Sequence, residues 1–169
     1  LQSIDSEIIV VDNNSADGSV QMVATRFPDV QLIINSENTG FSRANNQAIF
    51  RSKGKYILLL NPDTVVQEDT FQKCIEYMNG HENAGCLGVK MIDGKGKFLP
   101  ESKRGLPTPR TAFFKITGLS ALFPHSRKFA RYYMGHLDPG STHTIDVVSG
   151  AFMFLRRSAL EKTGLLDES

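Results

Sequence analysis

The sequence has no tryptophan, only two cysteines, and nowhere a run of about 18 apolar residues of the kind a helix needs to cross a bilayer. A helical membrane span is thereby excluded. Cys74 and Cys86 form no CxxC pair and no ligand cluster, which argues against a disulfide framework or zinc site and fits buried thiols in a reducing compartment. An excess of one charge sign is missing too: 19 Lys and Arg face 18 Asp and Glu, for a formal net charge of +1. That balance removes any global electrostatic reason to expect a nucleic-acid partner. Glycine-rich phosphate loops are absent, since Gly40 and Gly54 stand isolated outside any GxGxxG or Walker A frame. Ser149-Gly150 lacks the GxSxG frame of a nucleophile elbow, so no nucleophile is assigned. His81, His125, His136 and His143 fall in polar or irregular segments without metal-ligand spacing.

What is present is a pattern that builds a core. With 40% hydrophobic residues over 169 positions, the chain suits a single domain. Ile8 to Val11 form a short apolar run bounded by polar turn residues, the signature of a strand covered on both faces. Val20, Val23, Ala24 and Phe27 follow helical spacing, with Asp17 or Ser19 as the expected N-cap. Val30 to Ile34 is the next strand. Phe41, Ala44 and Ala48 line a second helix ending near Gly54, and Tyr56 to Leu60 is the third strand. Phe71, Cys74, Ile75 and Met78 mark a third helix, which makes Cys74 a core residue. Ala84 to Ile92 reads as a strand, followed by a turn at Asp93-Gly94 into Lys97 to Leu99. Strands alternating with helices predict an α/β fold, a doubly wound, mostly parallel sheet with flanking helices. The sequence divides into βα units over 1–99, an irregular basic segment over 100–143, and a strand, glycine turn, strand and short helix over 144–169. The middle segment is expected to be the least regular and most mobile, with one helix around Thr111 to Leu122.

Two carboxylates sit at predicted carboxyl ends of strands, where ligands bind in doubly wound sheets. Asp12 leads the cluster Asn13-Asn14-Ser15, short polar side chains suited to a nucleoside but equally to turn and capping chemistry. Asp63 follows Pro62, whose fixed φ aims it from a stiff corner, and with the Asn61 side-chain carbonyl it offers an open oxygen site for Mg²⁺ or Mn²⁺ shared with a diphosphate. Asn-Pro-Asp is also an ordinary β-turn sequence. Both carboxylates are expected on one edge of one sheet, with the strand near Val147 joining that sheet and bringing Gly150 towards Asp63.

The blocks "VVDNNSADGS", "NSENTGFSRANNQAI", "YILLLNPDT" and "VVSGAFMFLRRSALEKTGLLDE" resemble, in order and spacing, the family 2 glycosyltransferases of the GT-A fold, in particular a bacterial rhamnosyltransferase-like branch. The resemblance covers about 7–92 and 144–168. It implies that Asp12, with Asn14 and Ser15, contacts the nucleotide, and that Asp63 is the metal- and diphosphate-binding residue of a DxD-type motif whose first position is Asn61 here. Asn38, Gly40 and Asn46 match the block packed beside the nucleotide, though Gly40 reads equally as a turn and Asn46 as a tie between loops. Ser149, Gly150 and Ala151 match the loop bordering donor sugar and acceptor. The implied activity is inverting transfer of a sugar, with rhamnose as one donor, from a nucleotide-diphosphate sugar to a saccharide or lipid-linked acceptor in cell-surface polysaccharide synthesis. A divalent cation and a cytoplasmic location, at the inner face of the plasma membrane, go with it. Family members carry a further strand and helix ahead of the position of Leu1, and an acidic motif supplying the catalytic base beyond that of Ser169. The chain is thus expected to be a piece of a longer protein without its own catalytic base; only sugar transfer by these 169 residues alone would put the base inside it, with Asp146, Asp167 and Glu168 the first candidates. The alternative is a noncatalytic nucleotide-binding or structural fragment.

One local bias stands apart. Between Glu101 and His143 seven Lys or Arg (103, 104, 110, 115, 127, 128, 131) face only Glu101 and Asp138. Mixed with aromatics, this basic segment, 101–143, permits peripheral membrane contact or docking on a lipid-linked diphosphate, although a solvated or disordered loop is the reading its composition favours.

Overall fold

The computed structural model describes residues 4–169, which form two compact units: 4–57 with Gln67–Gly85 and Leu155–Ser169, and Leu58–Val66 with Cys86–Phe154. In the first unit β1 (Ile9–Asp12), α1 (Ser19–Arg26) and β2 (Gln31–Ile34) make a βαβ unit. The two strands are parallel, with Ile9 opposite Gln31 and Asp12 opposite Ile34. A crossover helix is what a parallel pair requires. Helix α2 (Gly40–Arg51) packs on β1 and buries Ala44, Asn46 and Ile49. Helix α3 (Thr70–Gly80) buries Cys74 and Met78.

Apolar spacing predicts where α1 lies but not how deeply it packs: none of its residues is buried, and Phe27 at its end is exposed, as is Phe41 in α2. Its N-cap is neither Asp17 nor Ser19 but Gly18, at φ 82°. Asp17 instead accepts the Ser19 N–H and hydroxyl through Oδ1.

Strands β3 (Tyr56–Leu60) and β7 (Phe152–Arg156), which both run across the division between the units, form with β4 (Cys86–Leu87) a sheet in the order β3-β7-β4. After β7 comes α6 (Arg157–Thr163). Arg156 closes the end of α3. Its Nη2 donates to the carbonyls of Met78 at 2.6 Å and His81 at 2.9 Å, and its Nε to that of Ala84 at 2.9 Å. The guanidinium also lies over the Tyr56 ring. A helix end leaves carbonyls without intrahelical partners, and a planar cationic fork satisfies several at once. Arg156→Ala is therefore expected to destabilise the fold by roughly 2–4 kcal/mol, with Arg156→Lys recovering less than half, as read by urea denaturation. A loss under about 0.5 kcal/mol would show that water replaces the guanidinium at those carbonyls.

The second unit departs from expectation in several places. The strand expected over Ala84 to Ile92 shortens to Cys86–Leu87, because the Met91 N–H is taken by the Ser102 hydroxyl and the Met91 carbonyl by Leu99. The turn at Asp93 forms, Asp93 Oδ1 accepting from Lys95 and Lys97, but leaves only the bridge between Ile92 and Phe98. Cys86 is exposed, not buried. Val147–Val148 (β6) does not join the sheet of β3; it pairs antiparallel with β5 (Lys103–Arg104), where Asp146 Oδ2 also accepts the Leu106 N–H at 3.2 Å. The expected single sheet is likewise divided: β1 pairs with β2, whereas β3 pairs with β7. The helix expected over Thr111 to Leu122 breaks at Gly118, φ 74°, into α4 (Pro109–Ile116) and α5 (Leu119–Leu122). Thr108 caps α4, exchanging hydrogen bonds with Thr111 in a capping box.

Candidate functional site

The site residues form three groups, each contained in a single unit. In the first, β1 ends at Asp12, which is buried although it is a carboxylate. Its Oδ2 accepts the Ser15 N–H at 3.0 Å, closing a turn in which Asn14 takes the left-handed conformation at φ 69°. Asparagine tolerates that region better than most residues. The Ser15 hydroxyl, then its N–H, holds the Asp12 carboxyl below its ordinary range. The stabilisation from that depressed value is complete above the ordinary carboxylate range and is lost as pH falls through the lowered one.

Asn13, which the sequence offers only as one member of a polar cluster, is the hub of this group. Its Oδ1 accepts from Asn35 Nδ2 at 3.2 Å, the Thr39 N–H at 3.0 Å and the Thr39 hydroxyl at 3.1 Å. Its Nδ2 donates to Asn38 Oδ1 at 2.8 Å and the Gly40 carbonyl at 3.4 Å. The end of β1 is thus locked to the opening turn of α2. Asn38 spends its carbonyl on Asn13 and the Gly40 N–H, and Gly40 holds φ 81°, which a side chain would strain. Asn14 and Ser15 stay exposed at the rim. Asn13→Ala is expected to cost roughly 2–3 kcal/mol in urea denaturation, and Asn13→Asp should not rescue it, because a carboxylate cannot donate to Asn38 Oδ1 or the Gly40 carbonyl. Rescue by Asp would overturn the donor half of this assignment.

The second group answers why a carboxylate follows β3. The Thr64 N–H donates to the Asn61 carbonyl at 3.1 Å, so Asn61-Pro62-Asp63-Thr64 is a β-turn. The turn is anchored from outside itself. The Asn61 N–H donates to the Ala151 carbonyl at 3.0 Å, and the Thr64 hydroxyl approaches the same oxygen at 3.5 Å. The Ala151 N–H in turn reaches the Ser149 hydroxyl at 3.4 Å. Gly150 therefore lies in a loop tied to the Asp63 corner. Asp63 is exposed, and its carboxylate takes part in no hydrogen bond or ion pair among the described residues. No cluster of three or more His, Cys, Asp or Glu able to hold a metal exists among the described residues. One free carboxylate, even with the Asn61 side-chain oxygen two positions earlier added to it, is a partial oxygen set, which suits a hard cation only when a diphosphate supplies further oxygens.

In the third group Asn46, buried on α2, ties down the chain after α6. Its Nδ2 donates to the Leu166 carbonyl and to Glu168 Oε1, both at 2.8 Å, and its Oδ1 accepts the Leu166 N–H at 3.0 Å. Glu168 Oε2 pairs with Arg43 Nε at 3.3 Å. The Asn46 amide, then Arg43, holds the Glu168 carboxyl below its ordinary range, and Ser169 does the same for Asp167. Carboxylates occupied and ionised in this way are poor proton acceptors near neutral pH.

Comparison with solved proteins places the architecture. The chain superposes on the crystal structure of S. aureus TarS 1-349 with a TM-score of 0.55 at 18% identity, covering 96% of this chain and 41% of that one. With the mannosyltransferase PcManGT of Pyrobaculum calidifontis, solved in complex with GDP-Man and Mn²⁺, the TM-score is 0.57 at 19% identity, over 96% of this chain and 39% of that one. The fold is that of the GT-A glycosyltransferases. Residues 2–164 match the family model for glycosyl transferase family 2, and the chain belongs to that family. It is also 24% identical over 172 residues to the N-acetylglucosaminyl-diphospho-decaprenol L-rhamnosyltransferase of Mycobacterium tuberculosis, covering 95% of this chain. The chain spans about half the length of that relative, 55%.

Proposed function

We propose that this chain forms the donor-binding part of an inverting glycosyltransferase, which moves a sugar from a nucleoside-diphosphate donor to the hydroxyl of a saccharide or lipid-linked acceptor. The observation that carries the reading is the Asp63 corner: a free carboxylate on a proline turn, held in place by the Ala151 carbonyl of the Ser149-Gly150-Ala151 loop. Asp63, with the Asn61 side-chain oxygen, would hold the divalent cation, Mg²⁺ or Mn²⁺, and that ion would supply positive charge against the leaving diphosphate. Asp12, Asn14 and Ser15 bind the nucleoside. Asn13, Asn38 and Gly40 hold that turn in shape, and Asn46 with Glu168 fixes the segment after α6. Gly150, in the loop tied to that corner, would border the donor sugar. Rhamnose is the donor sugar to test first, in cell-surface polysaccharide synthesis at the cytoplasmic face of the plasma membrane. The match to a rhamnosyltransferase over nearly the whole chain supports that choice.

The test is calorimetric titration with UDP, GDP and dTDP, each with and without Mn²⁺. Tighter binding of at least one nucleotide in Mn²⁺ is the expected result. Failure of all three to bind in either condition would reject the donor-site reading.

A further inference from the structure

We infer that α4 and α5 form a docking surface for an anionic lipid bilayer. Helix α4 is two-sided in an unusual sense. Thr111 and Phe114 are buried, and Phe114 meets Phe129 edge-on with centroids 5.0 Å apart. At 100° per residue, Phe113 and Ile116 stand on the opposite face, where they are 58% and 86% exposed. Helix α5 packs against α4 and adds Leu122, 70% exposed, followed by the exposed Phe123. Single exposed apolar residues are normal, but four of them, Phe113, Ile116, Leu122 and Phe123, within eleven residues of two packed helices mark an interaction surface.

The charges around this face select the occupant. The same helical geometry puts Lys115 and Arg110 between the outer Phe113–Ile116 stripe and the buried face, one on each side of the helix, with the Arg110 guanidinium 5.6 Å from the Phe114 ring centroid; from there long cationic side chains reach headgroups while the stripe enters the interface. Lys115 Nζ sits 5.4 Å and 5.5 Å from the ring centroids of Tyr132 and Tyr133, which set its side chain across the flank. Arg127, Lys128 and Arg131 are also exposed, and no Asp or Glu occurs anywhere in 102–137. A second copy of the chain would bring the same cations together and be repelled, whereas a sheet of phosphate headgroups complements them. No helix among the described residues is long and apolar enough to cross a membrane, so the contact is one of lying on the surface.

The inference does not depend on the donor site, because vesicle binding is read without nucleotide. The experiment is co-sedimentation of the protein with phosphatidylcholine vesicles with and without phosphatidylglycerol. Binding to the anionic vesicles is expected, weakening as salt is raised. Ile116→Asp should reduce it about tenfold or more by placing charge where an apolar side chain enters the interface. Arg110→Glu with Lys115→Glu should reduce it about twentyfold or more, each lost cation near an anionic leaflet counting for about fivefold. Ile116 is mostly exposed, so its variant should keep the wild-type circular dichroism; if it unfolds, the charge-reversal pair decides. Four results would overturn the inference: equal binding to pure phosphatidylcholine, unchanged binding by the charge-reversal pair, displacement by inorganic phosphate at constant ionic strength, or a lipid-free dimer that Ile116→Asp dissociates. The last would assign the face to a second copy.

Discussion

Asp63→Ala is expected to remove the metal dependence of nucleoside-diphosphate binding altogether, the largest functional effect of any single change in this chain. The carboxylate stands alone at its corner, with no neighbouring cluster of acidic residues or histidines among the described residues to take over. Loss of even a supporting partner of a metal ligand typically weakens a site 10- to 100-fold, so loss of the one carboxylate should exceed about 100-fold in Mn²⁺-promoted affinity. Asp63→Asn keeps the side-chain shape and the turn but removes the charge, and should be nearly as damaging. The turn itself should survive both changes, since its hydrogen bonds run through the backbone of Asn61 and Thr64. Titrations with and without Mn²⁺, set beside unchanged urea denaturation, separate lost ligation from lost structure. If the alanine variant still gained affinity from Mn²⁺, the ion would be held elsewhere and Asp63 would be only a turn residue.

That corner was legible because its chemistry is local. Proline fixes one dihedral, the neighbouring asparagine and aspartate favour turns, and the apolar run before them reads as a strand, all within nine residues. The βαβ unit was legible for the same reason, since hydrophobic periodicity is a property of short windows. What could not be read depends on partners far along the chain. Asn13 looks like one polar residue among several until Asn35, Asn38 and Thr39 arrive at its side chain. Arg156 resembles the start of an exposed helix, yet its guanidinium finds carbonyls more than seventy residues earlier. The pairing of β5 with β6 joins residues 103–104 to 147–148, and two-residue strands carry no alternation that a window could detect. Gly118 lies inside the expected helix without having been read as a breaker, and its left-handed conformation divides α4 from α5.

The largest stability effect should come from Phe152→Ala. Phe152 is 1% exposed at the start of β7, the middle strand of the β3-β7-β4 sheet, where both strand edges are paired and the ring has little room to be replaced. Emptying such a position removes the transfer energy of the ring and leaves a cavity that close-packed neighbours fill only in part, at a typical cost of about 3–5 kcal/mol. Against a total stability of about 5–15 kcal/mol for an ordinary domain, that is a large fraction. Phe152→Leu should cost roughly 1–2 kcal/mol, because most of the volume is kept. The consequence for function follows from sequence adjacency: the residue before Phe152 is Ala151, whose carbonyl holds the Asn61 N–H and the Thr64 hydroxyl at the Asp63 corner. A leucine variant that stays folded should therefore lose Mn²⁺-dependent nucleotide affinity more steeply than it loses stability, since a small shift at the start of β7 moves the corner. Urea denaturation and nucleotide titration of the two variants test both halves. A loss below about 1 kcal/mol for the alanine variant would show that Phe152 is not a core residue, and undiminished Mn²⁺-dependent affinity in the leucine variant would show that the corner does not rest on β7.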